Sequence, residues 1–293
     1  MKHKKIFRVG SRDSSLAVIQ SRLVMDALRA AHPDIELELV TMKTTGDRIL
    51  DRPLDKIGGK GLFVRELDAA LREGRADLAV HSCKDLPMEL PEDLPLAAFT
   101  RREDPRDVLV LPRGAEKLAG PIGCSSLRRA LQLRALFPGV EVAPIRGNVL
   151  TRLRKLDAGA YGALVLAAAG LKRLGLEERI RRYFSPEEML PAAGQGILAV
   201  QCRRDMDRAL LSPLRDREAE LCALAERAFV RALDGGCSSP AAAHAAVSGG
   251  VLTITGLLAD RREALHRSTA SGPADQGEAL ARNLAEKMKG DAL

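Results

Sequence analysis

The chain has 293 residues, more than one compact core usually holds, so two or three domains are expected. Its composition, 46% hydrophobic and 29% charged, is typical of a globular protein, and 3% aromatic residues without Trp disfavour base stacking on nucleic acids. The formal charge of +7 favours an anionic partner. We predict no membrane partner and a cytoplasmic protein, since no apolar run reaches spanning length and the basic start lacks an apolar signal segment.

The cysteine pattern predicts reduced thiols. Five cysteines are widely spaced, their number is odd, and no two form a C-x-x-C pair: Cys83, Cys124, Cys202, Cys222 and Cys237. The five histidines also lack metal-ligand spacing. We therefore expect neither a disulfide framework nor a metal site.

Strands and helices alternate in the first part of the chain. Residues 6–10 predict a strand, and the helix predicted over 15–30 places Leu16, Ile19, Leu23 and Ala27 on one face. Further strands at 35–39 and 77–81 flank a helix over 62–72. The stretch 43–61 has no period and is rich in Gly, Lys, Asp and Thr, which predicts a mobile surface loop.

The alternation resumes beyond residue 102. Strands are predicted at 108–111, 122–124, 140–145 and 163–168, helices at 126–137 and 149–158, and a strand at 197–201 returning to the first sheet. After residue 216 the pattern changes to a helix over 217–232, strands at 243–247 and 251–257, and a helix over 274–289. This order predicts an α/β fold with mainly parallel sheets, followed by a small α+β domain.

Three predicted strand-to-helix turns combine hydroxyl or amide side chains with arginine, at 11–14, 124–129 and 146–152. Helix N-termini carry free N–H donors and partial positive charge, and arginine adds bidentate bonds to carboxylates. A single such turn is most simply a capped surface helix. Three together favour a cleft that binds a polycarboxylate, since neither a P-loop nor a G-x-G-x-x-G motif is present.

Two further positions could carry chemistry. Asp85 follows a predicted strand end, a suitable place for a catalytic carboxylate, although the pattern alone favours a turn cap before Pro87. His81 on the same strand fits a packed, hydrogen-bonded residue better than a base. Cys237 follows two glycines after a predicted helix, so it either faces the cleft on a strained turn or is a buried thiol beyond a helix cap.

The chain resembles the porphobilinogen deaminase (hydroxymethylbilane synthase) family along nearly its full length. The matching segments are 11–17 (SRDSSLA), 58–63 (GGKGLF), 79–87 (AVHSCKDLP), 102–107 (REDPRD), 125–129 (SSLRR), 146–152 (RGNVLTR), 194–196 (GQG) and 235–237 (GGC). The resemblance implies two lobes of the type II periplasmic-binding-protein kind, residues 1–99 with 197–215 and residues 100–196. A third domain, residues 216–293, would carry the cofactor cysteine.

The resemblance also implies site residues and partners. Cys237 would hold dipyrromethane through a thioether, and Asp85 would be the catalytic carboxylate. Cofactor and substrate would be bound by Arg12, Ser14, Lys84, Ser125, Ser126, Arg128, Arg129, Arg146, Arg152, Arg173 and Gln195, beside a lid loop with Lys56, Lys60 and Phe63. The substrate would be porphobilinogen, and the product would pass to uroporphyrinogen III synthase. No nucleic-acid partner is implied, and a monomer is expected.

The implied reaction is electrophilic substitution on pyrrole. Porphobilinogen loses ammonia, a cationic methylene-pyrrole results, and a carboxylate facing the pyrrole N–H groups stabilises positive charge. Family members usually carry an aliphatic residue or Met at position 83 and often Thr at position 124, where this chain has Cys83 and Cys124. Two alternatives remain: a non-catalytic bilobal anion-binding protein, and a nucleic-acid binder using the basic stretch 152–155.

Overall fold

Two five-stranded sheets and one three-stranded sheet organise the protein. A computed structural model describes residues 5–48, 61–235 and 240–292. The first sheet has the order β2-β1-β3-β10-β4, built from β1 (Lys5–Arg12), β2 (Ile35–Met42), β3 (Leu78–Ser82), β4 (Leu96–Phe99) and β10 (Leu198–Cys202). The second has the order β7-β6-β8-β5-β9, built from β5 (Asp107–Val110), β6 (Ile122–Gly123), β7 (Val142–Ala143), β8 (Ala163–Ala167) and β9 (Ile180–Tyr183).

Both sheets follow one plan. The strand that enters from the other sheet, β10 in the first and β5 in the second, lies fourth in the order and runs antiparallel to both neighbours. The remaining pairs that the register defines, β1 with β2 and β3, and β6 with β7 and β8, are parallel. The predicted α/β fold with two lobes is confirmed, and β10 returns to the first sheet as predicted. The sheets are mixed rather than mainly parallel, because each has two parallel and two antiparallel pairs.

Helices cover these sheets and follow the strands. The first sheet carries α1 (Ser15–Ala31), α2 (Thr45–Arg48) and α3 (Arg65–Arg72), and the second carries α4 (Leu127–Leu136), α5 (Val149–Asp157) and α6 (Ala168–Arg173). Short 3-10 turns occupy Cys83–Asp85, Glu177–Arg179 and Arg208–Leu214. The short strands β4 and β9 and the helix α6 were not predicted, because each is too brief to show a period.

The C-terminal part is the small α+β unit that the sequence predicted. Helix α7 (Arg217–Ala232) precedes the antiparallel sheet β11 (Ala242–Ser248), β12 (Val251–Ala259) and β13 (Leu265–Pro273), and α8 (Gly277–Ala292) closes the chain after a 3-10 turn at Ala274–Gln276. Alanines of α7 pack with Phe229, Ile254 and Leu284 in one buried cluster. The prediction missed β13, whose polar residues Ser268, Thr269 and Ser271 gave little hydrophobic alternation.

Helix α1 buries a different face from the one predicted. Its buried residues are Ala17, Gln20, Ser21, Val24, Met25 and Leu28, whereas Leu23 is 48% exposed. Gln20 can be buried because its amide exchanges hydrogen bonds with the Ser82 hydroxyl, at 2.9 and 3.1 Å. The small residues Ala17 and Ser21 let the helix lie close to the sheet. The predicted apolar face was therefore wrong, and Leu23 and Ala27 stay outside the core.

The predicted loop 43–61 contains helix α2 in its described part. Thr45 donates from its backbone and hydroxyl to Glu66 Oε1, at 2.9 and 2.6 Å, and Gly46 donates to the Leu62 carbonyl at 2.9 Å. These contacts with the start of α3 stabilise a helix too short to show a periodic pattern. The remainder of the predicted loop, 49–60, lies outside the described residues.

Candidate active site

The turn after β3 exposes Asp85 between buried neighbours. Cys83 and Leu86 are fully buried on either side of it, which anchors the 3-10 turn and leaves the carboxylate in solvent. A cavity of about 20 Å³ opens beside it, with Arg12 and Phe63 in its wall. His81 also lines this cavity, but burial lowers its pKa to about 4 and Gln201 Oε1 lies 3.1 Å from its Nε2. His81 is thus a neutral, packed residue, as its strand position suggested.

Arg12, at the end of β1, forms the cationic side of this cavity. Its Nε lies 3.0 Å from Asp47 Oδ2, its Nη2 bonds to Asp47 Oδ1, and its guanidinium lies 4.3 Å from the Phe63 ring centroid. Burial raises the pKa of Asp47, but hydrogen bonds from Arg12 and Thr44 outweigh burial, so the net pKa is lowered. The Arg12 side chain keeps 23% of its surface exposed, so a ligand can reach it.

Sequence reasoning missed Asp47. The Thr44 hydroxyl donates to Asp47 Oδ2 at 2.6 Å, so the spacing from Thr44 to Asp47 is that of a helix capping motif. This spacing could have predicted the start of a helix at Thr44 and the role of Asp47, but the composition of the surrounding segment predicted a loop.

The helix starts expected at the three arginine-bearing turns are confirmed. The side chains of Ser14, Ser126 and Asn148 cap α1, α4 and α5 by accepting from Ala17 N, Arg129 N and Thr151 N. In the second sheet the two turns are tied together, because Ser125 Oγ donates to the Ile145 carbonyl and accepts from Ile145 N at 3.2 Å. The Ser125 hydroxyl is therefore engaged with a neighbouring turn in this structure, although its residue is exposed.

Arg128 and Arg129 bind a buried carboxylate of the protein itself. Arg128 Nη1 lies 2.7 Å from Asp107 Oδ2, and Arg129 Nη2 lies 2.6 Å from Asp107 Oδ1. Each arginine also donates to a main-chain carbonyl, Arg128 to Leu190 at 2.6 Å and Arg129 to Val165 at 3.2 Å. Burial raises the pKa of Asp107, but the two guanidiniums outweigh burial and hold it well below the usual range. Sequence reasoning missed Asp107, which lies within the REDPRD segment.

Gln195 connects this buried cluster to the Asp85 turn. It is fully buried, and its Nε2 donates to Asp107 Oδ1 at 2.9 Å and to the Pro105 carbonyl at 2.6 Å. Its Oε1 accepts from Lys84 Nζ at 3.3 Å and from Arg129 Nη2 at 3.5 Å. Burial, with a smaller effect from the Arg129 charge, lowers the pKa of Lys84 to about 8. A single hydrogen-bonded chain thus links the two sheets beside Asp85.

The remaining predicted arginines occupy different places. Arg152 Nε donates to the Gly147 carbonyl at 2.8 Å; burial and the Arg129 charge lower its pKa, while the Asp85 carboxylate acts in the opposite direction. The Arg146 carbonyl accepts from Lys155 Nζ at 3.1 Å, and the Arg146 side chain is half-buried. Arg173 Nη2 donates to the Gly196 carbonyl at 2.6 Å and does not line the Asp85 cavity.

Three of the predicted site residues lie outside the described residues: the cysteine expected to hold the cofactor, Cys237, and the two lysines of the expected lid loop, Lys56 and Lys60. The other four cysteines are buried and unpaired as thiols, and burial raises the pKa of Cys83 to about 11 and that of Cys222 to about 12. Within the described ranges no cluster of three or more His, Cys, Asp or Glu side chains could hold a metal ion, and no helix is long and apolar enough to cross a membrane.

Helix α7, which leads toward position 237, packs directly against the Asp85 turn. Arg227 Nη2 donates to the Pro87 carbonyl at 2.6 Å and to the Met88 carbonyl at 3.2 Å. The fully buried Glu226 accepts from Gly194 N at 2.7 Å and from Arg102 Nη2 at 2.8 Å. Glu226 therefore joins the C-terminal unit to both the crossing segment and the turn that carries Gln195.

Two α/β sheets, linked by hydrogen bonds beside an exposed carboxylate, define a two-lobed α/β protein. Two domain descriptions match the sequence: "Porphobilinogen deaminase, dipyromethane cofactor binding domain" over residues 7–211 and "Porphobilinogen deaminase, C-terminal domain" over residues 220–290. The chain belongs to the porphobilinogen deaminase family. It is a transferase with hydroxymethylbilane synthase activity, condensing four porphobilinogen molecules, and its cofactor is dipyrromethane.

Two relatives that bear the family's name support the same assignment. The chain is 56% identical over 283 residues to "Porphobilinogen deaminase" of Acetivibrio thermocellus, covering 96% of this chain and 97% of the relative. It is 56% identical over 286 residues to the protein of the same name from Alkaliphilus oremlandii, covering 97% of each chain. Among solved structures it is similar to the periplasmic aliphatic sulphonate binding protein SsuA from Escherichia coli, with 15% identity, a TM-score of 0.41, and 78% and 71% of the two chains covered.

Proposed function

We propose that Asp85 is the catalytic carboxylate of this transferase and that Cys237 is the attachment point of dipyrromethane. The observation that carries the assignment of Asp85 is its exposure on an anchored turn, within the field of cations from both sheets. Its charge acts on Arg129 and Arg152 of the second sheet and on Lys84 beside it. A non-catalytic anion receptor would need the cations but gives no reason for an exposed carboxylate among them.

The donor set of the cleft fits dipyrromethane, which carries carboxylate side chains and pyrrole N–H donors. Arg12, Lys84 and Arg152 are half-buried cations able to hold carboxylates, and Asp85 can accept pyrrole N–H bonds. When bound, the cofactor supplies the free pyrrole α-carbon to which substrate is joined. Ser14, Ser126 and Arg146 stand at helix starts, where further substrate carboxylates would find donors.

The chemical role of Asp85 follows from charge development in the substrate. Porphobilinogen becomes cationic as its aminomethyl nitrogen leaves as ammonia, and a fixed carboxylate near the pyrrole N–H stabilises that charge. Asp85 can also accept the proton that a substituted pyrrole carbon loses. Arg128 and Arg129, held by Asp107, would keep the second side of the cleft in place, and Phe63 beside Arg12 would form part of its cover.

The test of Asp85 compares two substitutions in enzyme already loaded with cofactor. Asp85→Asn keeps the volume but removes the charge, so the single-turnover rate should fall by about 10²-fold or more. Asp85→Glu keeps the charge and moves it by one methylene, so it should retain an intermediate rate. Porphobilinogen should still bind to both variants. If Asn equals or exceeds Glu, Asp85 is a turn cap before Pro87 and the assignment is wrong.

The test of Cys237 is the intact mass of the purified protein under denaturing conditions. Wild type should exceed the sequence mass by one dipyrromethane unit, and Cys237→Ala should show the bare sequence mass. Cys202→Ala, which alters a buried thiol of β10, is the matched control and should keep the adduct. An adduct that persists in Cys237→Ala would place the attachment elsewhere.

We further propose that the protein acts in the cytoplasm as a monomer, with each sheet at the centre of one domain: 1–99 with 197–215, 100–196, and 216–293. The thiol state of the four described cysteines supports a reducing compartment, and the contacts of Glu226 and Arg227 join the units within one chain. Light scattering on the protein as it elutes from a size-exclusion column measures its molar mass and so tests the monomeric state. Hand-over of product to uroporphyrinogen III synthase would appear as a change in sedimentation when the two proteins are mixed.

A further inference from the structure

A second cavity has a volume of about 520 Å³ and does not include Asp85 in its wall. Its wall contains Leu23, Val24 and Ala27 of α1, Thr100, Arg101, Arg102 and Glu103 of the segment that crosses between the sheets, Arg173 of α6, and Leu198, Pro213 and Leu214. None of these residues lines the Asp85 cavity. The volume falls within the range of about 300–1,000 Å³ typical of small-molecule sites.

One side of this cavity is apolar. Leu23 and Ala27 are one helical turn apart on α1, and Leu23 is 48% exposed. These two residues belong to the face that the sequence predicted to pack in the core, and the structure leaves that face toward the cavity. With Leu198 and Leu214 they offer an apolar surface that a ligand body would cover favourably.

The other side carries positive charge that the protein does not neutralise. Arg102 is paired with Glu226 at 2.8 Å, and Glu103 is paired with Lys172 at 3.1 Å. Arg173 donates to the neutral Gly196 carbonyl, and burial lowers its pKa to about 10 while the Glu103 charge acts in the opposite direction, so it stays cationic at neutral pH. Arg101 is exposed and makes no ion pair with any residue of the described ranges. Arg173 thus shares the single carboxylate of Glu103 with Lys172, and Arg101 has no carboxylate partner among the described residues.

We propose that this cavity is a second binding site, which takes a small carboxylate with an apolar body. The apolar part would cover Leu23 and Ala27, and the carboxylate would lie toward Arg101 and Arg173. Because Arg173 also donates to the Gly196 carbonyl next to Gln195, an occupant bound to Arg173 would be connected through it to the turn that reaches Lys84. The proposed site shares no lining residue with the Asp85 cavity and goes beyond the transferase function. It gives Arg173 a different role from the substrate binding that the family resemblance implies.

The experiment uses the cofactor-loaded enzyme with two probes of equal shape, 4-phenylbutyrate and the neutral 4-phenylbutan-1-ol, titrated by ligand-observed NMR. The carboxylate should bind about 10-fold or more tightly than the alcohol, since charge-assisted bonds need the anion. Arg101→Ser should weaken binding of the carboxylate about 3- to 10-fold, and Leu23→Ser should weaken both probes about 3-fold or more. Both residues are exposed, so neither substitution should disturb folding.

Arg22→Ser is the matched control, because Arg22 is an exposed cation next to Leu23 that does not line the cavity. It should leave the affinity unchanged within twofold. Saturating porphobilinogen should not displace the carboxylate probe. The proposal fails if porphobilinogen displaces the probe competitively, if the alcohol binds as tightly as the carboxylate, or if Arg101→Ser and Leu23→Ser bind like Arg22→Ser.

Discussion

The two sides of the cleft hold their arginines in contrasting ways. In the first sheet, Arg12 is paired with Asp47 of the short helix α2, and both side chains remain partly exposed, at 23% and 16%. In the second sheet, Arg128 and Arg129 share the fully buried Asp107, and their side chains are 5% and 9% exposed. The first pair can exchange its partner for a ligand at little cost, whereas the second cluster would leave buried charges behind.

Under the proposed function, this difference separates an arginine that binds substrate from arginines that stabilise the framework. A guanidinium with accessible donors can take a carboxylate from solution, and Arg12 has that freedom beside Asp85. The buried cluster instead holds β5, α4 and Gln195 in fixed positions, and Gln195 in turn accepts a hydrogen bond from Lys84. Arginines that all lie at strand-to-helix turns therefore differ in accessibility, which is set by burial.

The largest expected effect is a difference in stability between two matched substitutions, one at each of the two carboxylates. Asp107→Asn leaves two buried guanidiniums without a counter-charge, so the free energy of unfolding should fall by about 3–5 kcal/mol. Asp47→Asn removes a partly exposed partner and should cost only about 1 kcal/mol. Urea unfolding at neutral pH measures both. Equal losses would mean that burial does not separate the two sides.

A smaller effect should appear in the pH dependence of Lys84, the residue that joins the Asp85 turn to the buried cluster. Its folded pKa, about 8, lies below the ordinary value of 10.5, so the unfolded chain binds the extra proton between these pH values. The stability of wild type relative to Lys84→Met should therefore rise as pH increases through that window, by at most about 3 kcal/mol. A flat difference curve would show that burial does not lower the pKa of Lys84 in the folded protein.

The smallest expected effect concerns Cys124, which begins the first of the two strand-to-helix turns of the second sheet. Its Sγ lies 3.5 Å from both the backbone nitrogen and the carbonyl oxygen of Ser126, so the thiol already occupies the place of a hydroxyl. Cys124→Thr should change stability by less than about 1 kcal/mol, since the volume is nearly kept. The KM for porphobilinogen should change less than about threefold. A tenfold decrease would show that the missing hydroxyl weakens substrate binding on this side.

Local sequence determined much of the framework. The alternation of strands and helices, the caps at Ser14, Ser126 and Asn148, and the order of motifs were readable because each depends on residues close in the chain. The same locality made Asp85 identifiable as a strand-end carboxylate, whereas the position of Cys237 after two glycines stays a prediction because it lies outside the described residues. Family membership rests on the same motifs.

Tertiary structure alone decided which partners these residues have. The hydrogen bonds that connect the site join residues far apart in the sequence, and no periodic pattern extends over such separations. They are Arg129 with Asp107, 22 positions apart, Lys84 with Gln195, 111 apart, and Arg102 with Glu226, 124 apart. The buried face of α1 likewise depended on Ser82 satisfying Gln20, so a polar residue entered the core while Leu23 stayed out. Burial and pairing are properties of the packed chain, because they require groups that only the fold brings together.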